Sequence, residues 1–334
     1  MTTETTRPLV PQQPAGPPST GDPLTDPTAA LLEPAQIGPL SGLPQTTGYR
    51  AVPRQRAMSD ELGPLQDLPG VWEGPGFSLI ARPDFDADNE DGFFLQLNLL
   101  RETLEFTTIG SPVFNRGSLQ SDIALFGVTY LHRVTDAITG GALHIEPGLF
   151  LTIPATTQPE SGPSIARLAT VPHGNAACAV GFAEDIEGPP SIPPQNTVPF
   201  PNGAPPPAPG TINPFAAFNL AKESPFRTKP LPPNITQAVI DDPATLTRAA
   251  LRGLEIQHIT RLTTSTPPAG GVANIPFISA NADNPTLDSV FWIESIKGPE
   301  GREYQQLQYV QTAMLSFRGL NWPHVTVGTL VKAF

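Results

Sequence analysis

A single cysteine, Cys178, is the first thing this chain is short of, and its solitude removes an internal disulfide and any Cys-x-x-Cys zinc knuckle. A reducing compartment, a bacterial-type cytosol among them, fits that usage, and a cytoplasmic location is the expectation. No run of eighteen apolar residues occurs, so no spanning helix is expected. The opening residues, MTTETTRPLVPQQPAGPP, lack a basic stretch leading into an apolar one, so they do not read as a secretory signal. Charged residues make up only 15% of 334 positions, the net charge is −12, and no Lys/Arg cluster stands out, so neither nucleic acid nor an anionic membrane is an expected partner. Several catalytic signatures are also missing. There is no Gly-x-Ser-x-Gly elbow, no phosphate-binding loop and no dinucleotide fingerprint.

Proline is what the chain has in excess, 43 residues against 29 glycines. Residues 1–60 are rich in Pro, Thr and Gln and cannot bury enough apolar surface to offset an ordering cost of roughly 1–2 kcal/mol per residue. They are expected to form a largely disordered arm, dispensable at least over residues 1–35. A second proline block, residues 188–234, falls inside the remaining domain, residues 61–334. It reads as a surface insertion or an extended crossover, or else as a ligand for a proline-binding module.

The rest of the chain signals strands. DIALFGVTYLHRV (122–134), ALHIEPGLFLTIP (142–154), SIARLATVPHG (164–174), IQHITRLTTST (256–266), SVFWIESIKG (289–298) and EYQQLQYVQTAMLSF (303–317) are rich in β-branched and aromatic residues and punctuated by turn formers. GVWEGPGFSLIARP and FFLQLNLLRETLEFTTIG add more upstream. In the longest, Leu307, Tyr309, Ala313, Leu315 and Phe317 share one face. TGG at 139–141 and GPEG at 298–301 read as hairpin turns. One short helix is expected over 242–254, with Asp242 as N-cap, Pro243 at its first position and Gly253 near its end. Strands in series with little helix between them predict a mainly β protein, an antiparallel up-and-down barrel or a sandwich. Periodicity alone does not separate the two.

Five histidines are the candidate chemistry: His132, His144, His173, His258 and His324. His132, His173 and His258 are expected to be structural. His144 stands two residues before Glu146 on one strand, so both point to one face while Leu143 and Ile145 point to the other. That pair is either a buried hydrogen bond or an acid/base pair in a pocket. Pro147-Gly148 is expected to end the pairing just beyond. HIEPG carries half of a cupin metal motif, and Cys178 near His173 half of a nucleophile–base pair.

GVWEGPG, residues 70–76, places Trp72 among Gly70, Gly74 and Gly76, as a barrel-closing aromatic with room for sharp bends would be placed. Its Gly-x-Trp-x-Gly-x-Gly form resembles the opening of the nitrobindins, small heme-binding barrels of the lipocalin and fatty-acid-binding (calycin-type) superfamily. LHIEPGLF (143–150) and LNWPHVTVGTLVK (320–332) are similar to two later nitrobindin stretches in the same order. The resemblance implies an up-and-down β-barrel holding heme b, with His324 as the iron ligand and His144 and Trp322 in the pocket. It implies an open iron face for nitric oxide, dioxygen, peroxide or peroxynitrite, and, if the protein is an enzyme, peroxidase-like or peroxynitrite isomerase-like activity. A metal-free barrel binding an apolar small molecule is the alternative, and a proline-armed scaffold a third. The partner expected is a small molecule in the cavity; the oligomeric state, a homodimer included, stays open.

Overall fold

The computed structural model describes residues 61–85, 91–298 and 301–333, so the proline-rich arm expected over residues 1–60 lies outside the described residues. Ten strands form the main element of the fold: β1 Gly70–Pro83, β2 Phe93–Thr108, β3 Ile123–Asp136, β4 Ala142–Ile153, β5 Ser164–Val171, β6 Asn175–Ile186, β7 Glu255–Ser265, β8 Leu287–Lys297, β9 Glu303–Phe317 and β10 Leu320–Lys332. Each pairs antiparallel with its predecessor in this series, and β10 pairs back onto β1 from Trp72↔Lys332 to Leu79↔Val325. The sheet is therefore a closed up-and-down barrel, which removes the unpaired edges that a sandwich would leave. Among the described residues no helix is long and apolar enough to cross a membrane.

The turns follow from local chemistry. Asp136 closes the β3–β4 hairpin by accepting the backbone N–H groups of Ile138 and Thr139, with Gly140 at positive φ. The β9–β10 hairpin turns on Arg318-Gly319, both left-handed, the pairing whose twist suits a two-residue loop. Helix α2, Ala244–Ala250, lies where the sequence predicts a helix. It starts one residue later than expected, with Pro243 and not Asp242 at the N-cap; Asp242, just before it, accepts the Ala244 N–H at 3.2 Å, and Gly253 follows at φ +77°. Two more short helices, α1 (Gln237–Asp241) and α3 (Pro276–Asn281), carry no strong sequence signal.

One end of the barrel is solid. Trp72, Leu104, Phe106, Tyr130, Phe150, Phe291, Leu307 and Leu330 fill it, and Leu62, Leu65 and Leu68 stopper it from outside the sheet. The Trp72 indole donates to the Leu68 carbonyl at 2.8 Å, so the first strand and the stopper are tied together. A ring of this size fully buried contributes about 3–5 kcal/mol against alanine. Gly76 has a different duty. A Cβ there would collide with the Glu102 carboxylate at 1.8 Å, so the glycine makes a niche for a buried acid.

The second proline block is ordered, and it is a packed crossover. It leaves β6 at Ile186, returns to β7 at Glu255, and on the way wraps the outside of the barrel. Ile192, Phe218, Val239, Ile240 and Ala244 bury themselves against Phe77, Leu79, Leu95, Leu97, Trp292, Val310 and Val327. Its backbone bonds to β2 through Leu95, whose N–H reaches Phe226 (2.8 Å) and whose carbonyl accepts from Thr228 (3.0 Å). Arg227 holds the bend by donating to the carbonyls of Ala217, Asn219 and Lys222. Proline suits this role because it limits the entropy lost when a chain without regular structure is pinned.

Candidate functional site

The other half of the barrel is hollow. A cavity of about 440 Å³ opens at the end where β1 finishes and β2 begins, within the range of small-molecule sites, roughly 300–1,000 Å³. Leu100, Val134, Ala313 and Leu315 give it apolar wall. Four of the five histidines, His132, His144, His173 and His324, line it as well. His258 does not; it lies on the outside beside Asp185.

His324 comes from β10. Its Nε2 lies 2.9 Å from the Ser78 hydroxyl and 3.3 Å from the Thr326 hydroxyl, both also cavity residues. Removal from bulk water, helped by the charges His144 and His173 carry when protonated, pushes its pKa down to about 4, so the ring is neutral at pH 7. The ring keeps some accessible surface because it borders the cavity, not because it meets bulk solvent. His144 on β4 and His173 in the β5–β6 turn stand about half a turn of the barrel away, on the facing wall. Burial and the neighbouring His144 also lower His173.

Below that wall lies a buried polar network. Glu146 accepts from Arg167 Nη2 at 2.6 Å, from the Tyr130 hydroxyl, and from His144 Nε2 at 3.1 Å. Arg167 spends its other donors on Tyr130 (3.0 Å), Ser289 (2.9 Å) and Gln311 (2.7 Å). Burial alone would raise Glu146, but the Arg167 charge and the His144 bond outweigh it and hold the carboxyl well below the usual carboxylate range. A second unit sits in the Gly76 niche: Glu102 Oε2 faces His132 Nε2 at 2.7 Å and accepts from Tyr309 at 2.5 Å, while its Oε1 has no partner among the described residues. Burial, then the Glu102 charge, keeps Tyr309 protonated.

A flap covers part of the mouth. Instead of a tight hairpin, residues 266–286 join β7 to β8, pinned at the neck by Thr266 N–H to Leu287 O (3.0 Å) and Leu287 N–H to Thr266 Oγ1 (2.9 Å). Residues Gly271–Asn274 pair with β6, and Ile278, Ala282 and Asn284 look into the cavity. Ile275 seats against Gly174, where a Cβ would meet it at 2.5 Å.

Of the residues the sequence singles out, His324, His144 and Glu146 come together on one cavity, and Trp322 does not join them. The β1–β10 ladder stops at Leu79↔Val325, the crossover's Phe200–Pro201 takes over beside Leu320 and Asn321, and Trp322 turns into that gap. There it packs on Phe93, Phe215 and Phe317 under the crossover, fully buried, its indole donating to the Phe317 carbonyl. Phe317 leaves the inner face of β9 for the same cluster. Leu143 is a second correction. The β3–β4 register slips between Val134↔His144 and Thr135↔Ala142, so Leu143 is the extra residue of a bulge and lines the cavity beside His144. Ile145 points outward as expected. Pro147-Gly148 does not end the pairing, which runs on to Phe126↔Thr152.

His132, Arg167 and Glu102 were not flagged by motif. A signal existed in period two: Arg167 falls between Ile165 and Ala169, and Glu102 between Leu100 and Leu104, on faces that are otherwise apolar. A charge on such a face marks a paired, buried ion. For a metal, among the described residues no three His, Cys, Asp or Glu side chains are grouped closely enough to share an ion. The donor set fits heme iron better, because that needs one neutral imidazole and an enclosure with apolar wall.

No family model matches this chain, and no curated protein does. A crystal structure of Rv2717c from M. tuberculosis superposes on 81% of this chain and 98% of its own, with a TM-score of 0.39 at 14% identity. At that score the likeness bears on neither the fold nor the chemistry, and the barrel stands on its own hydrogen-bonded ladders.

Proposed function

We propose that the chain binds heme b in the barrel cavity, with His324 as the protein ligand to iron and His144 and His173 on the facing wall. The observation that carries the reading is His324 itself: an enclosed imidazole, neutral at pH 7, whose Nε2 is turned to cavity hydroxyls and not to a carboxylate. A neutral ring is the form that ligates iron. Ser78 and Thr326 would yield Nε2 to the metal. Leu100, Val134, Ala313 and Leu315 would exclude water, and Arg82, which lines the mouth, would meet propionate charge. Bound heme would supply an iron centre with an open face for nitric oxide, dioxygen, peroxide or peroxynitrite. Peroxidase-like or peroxynitrite isomerase-like turnover and a cytoplasmic location belong to this same reading.

A second reading, a metal-free binder of an apolar small molecule, is favoured by the Ser78 contact, which already satisfies His324 Nε2 at 2.9 Å. One preparation separates them. Full-length chain from a heme-supplemented culture should be red, with a Soret band that survives gel filtration. Colourless protein that takes up no added hemin supports the metal-free reading.

A further inference from the structure

Three of the cavity's histidines sit in a row. The ring centroids of His132 and His144 are 6.1 Å apart, and those of His144 and His173 also 6.1 Å. Two of them have a ring nitrogen committed to a carboxylate behind it, His132 to Glu102 Oε2 and His144 to Glu146 Oε2.

The acceptors leave no choice of direction. Glu146 is bound by a guanidinium and held ionised, so it can only accept, and His144 must donate to it through Nε2–H. Glu102 Oε2 accepts the Tyr309 hydroxyl, and as a carboxylate, an acceptor only, it takes its second hydrogen bond from His132 Nε2–H. A neutral imidazole carries one N–H. With that proton on Nε2, Nδ1 is a bare lone pair. Both rings border the cavity, and among the described residues no hydrogen bond engages either Nδ1.

We propose that the wall facing His324 is a hydrogen-bond acceptor surface, that Glu102 and Glu146 are the positioning residues that fix it, and that the ligand it selects is a small neutral molecule presenting an O–H group. The fixed tautomers turn lone pairs toward the ligand. A hydroxyl meets a partner there, whereas a ligand offering only ether or carbonyl oxygens meets lone pair against lone pair. The Glu102 niche supports the same view. Gly76 and Gly328, register partners, both lack a Cβ where the carboxylate lies, so room has been made in the wall for a group whose one visible task is to hold His132 and Tyr309. The inference shares the cavity with the heme reading but needs no iron, so it is tested on the chain without heme and its failure leaves that reading standing.

The test has two parts. Long-range ¹⁵N–¹H correlation spectra of the full chain, with ¹⁵N-labelled histidine and signals assigned through single His→Gln variants, should show His132 and His144 in the Nε2–H tautomer when neutral. In Glu146→Gln the amide oxygen stays with its two donors, Arg167 and Tyr130, which leaves the amide N–H facing His144 and should turn that imidazole over to the Nδ1–H form. An Nδ1–H tautomer in the wild type overturns the proposal, and so does a folded Glu146→Gln with an unchanged His144 tautomer. The wild-type spectrum decides even if the variants fail to fold. The second part compares phenol with anisole, the same ring with and without the O–H. Phenol should bind about tenfold more tightly, the worth of one good hydrogen bond, and Glu146→Gln should erase most of that margin. Equal affinities for the two, or a preference for anisole, would contradict the assignment.

Discussion

The barrel wall buries Glu146 on its inner face and Glu294 on its outer face, and the two behave oppositely. Glu146, on the inner face, has three donors, one of them the Arg167 guanidinium, and its carboxyl is held ionised. Glu294, on the outer face of β8 beneath the crossover, is equally buried but among the described residues receives one bond, from Gln306 Nε2 at 2.7 Å, and has no partner for its Oε1. Burial outweighs that single bond and pushes Glu294 up to about 7. The comparison teaches that depth does not set a buried acid's charge; the number and sign of its partners do. At Glu146 the inner wall supplies the donors that keep a charge beside the cavity. On the outer wall, among the described residues, two further buried atoms, Trp292 Nε1 and Gln308 Oε1, have no hydrogen-bond partner.

The contrast breaks most dramatically if the inner cation is removed. Arg167→Met leaves Glu146 buried and ionised with no counter-charge, and should cost about 3–5 kcal/mol in urea unfolding. Replacing both partners, Arg167→Met with Glu146→Leu, should recover much of that loss, because the desolvation penalty goes with the charges. A double variant no better than the single would show that the network's hydrogen bonds to Ser289, Gln311 and Tyr130 matter more than its charges.

On the outer wall the sign reverses. A carboxyl raised from 4.5 to about 7 contributes stability that is fully present below pH 4.5 and is lost as pH rises through 7. Glutamine mimics the protonated form, so Glu294→Gln should stabilise the protein by up to about 3 kcal/mol at pH 8 and hardly at all at pH 4.5. Equal gains at both pH values would mean that Glu294 titrates normally.

His324 should give the smaller and opposite slope. Its pKa is lowered to about 4, so the unfolded chain binds the extra proton between pH 6.5 and 4, and stability falls as pH drops through that window. The loss should be about 2 kcal/mol, discounted because the ring borders the cavity, and His324→Gln should flatten it. His173, also lowered, adds to the same limb.

Much of this fold was legible in the sequence, because strand chemistry is local. Gly, Asp and Pro marked turns, β-branched runs marked strands, and Asp242-Pro243 marked a helix start. The site was half legible. His144 and Glu146 share a face by period two, and that held across the bulge because the slip falls before His144. Trp322 could not be placed that way, since its alternation fails where β1 lets go of β10 and the crossover moves in, an event set by residues more than a hundred positions away. His132 and His173 were hidden for a related reason: each is an ordinary strand or turn histidine until barrel closure sets it beside His144. The proline block reads by composition as a surface insertion or an extended crossover, and composition does not show that it packs. Its few large apolar residues, Ile192, Val198, Phe200 and Phe218, order it because the barrel offers an apolar outer wall to receive them.

The smallest effect expected concerns the flap. Ile275→Ala should change global stability by less than about 1 kcal/mol, since the side chain is half exposed, yet speed amide exchange over residues 271–282 by loosening the Gly174 seat. Exchange in β4 should be untouched. Uniform acceleration in both would mean that the flap is an integral part of the barrel rather than a separately opening cover.

The most direct measurement of the central claim is chemical rescue at position 324. His324→Gly should abolish or strongly shift the Soret band of hemin-titrated protein, and free imidazole added to the variant should restore it, because the substitution leaves a ring-sized gap beside Ser78 and Thr326. His258→Ala, whose imidazole lies on the outside of the barrel beside Asp185, should bind hemin as the wild type does. An unchanged Soret band in His324→Gly, with or without imidazole, would contradict the assignment of His324 as the iron ligand.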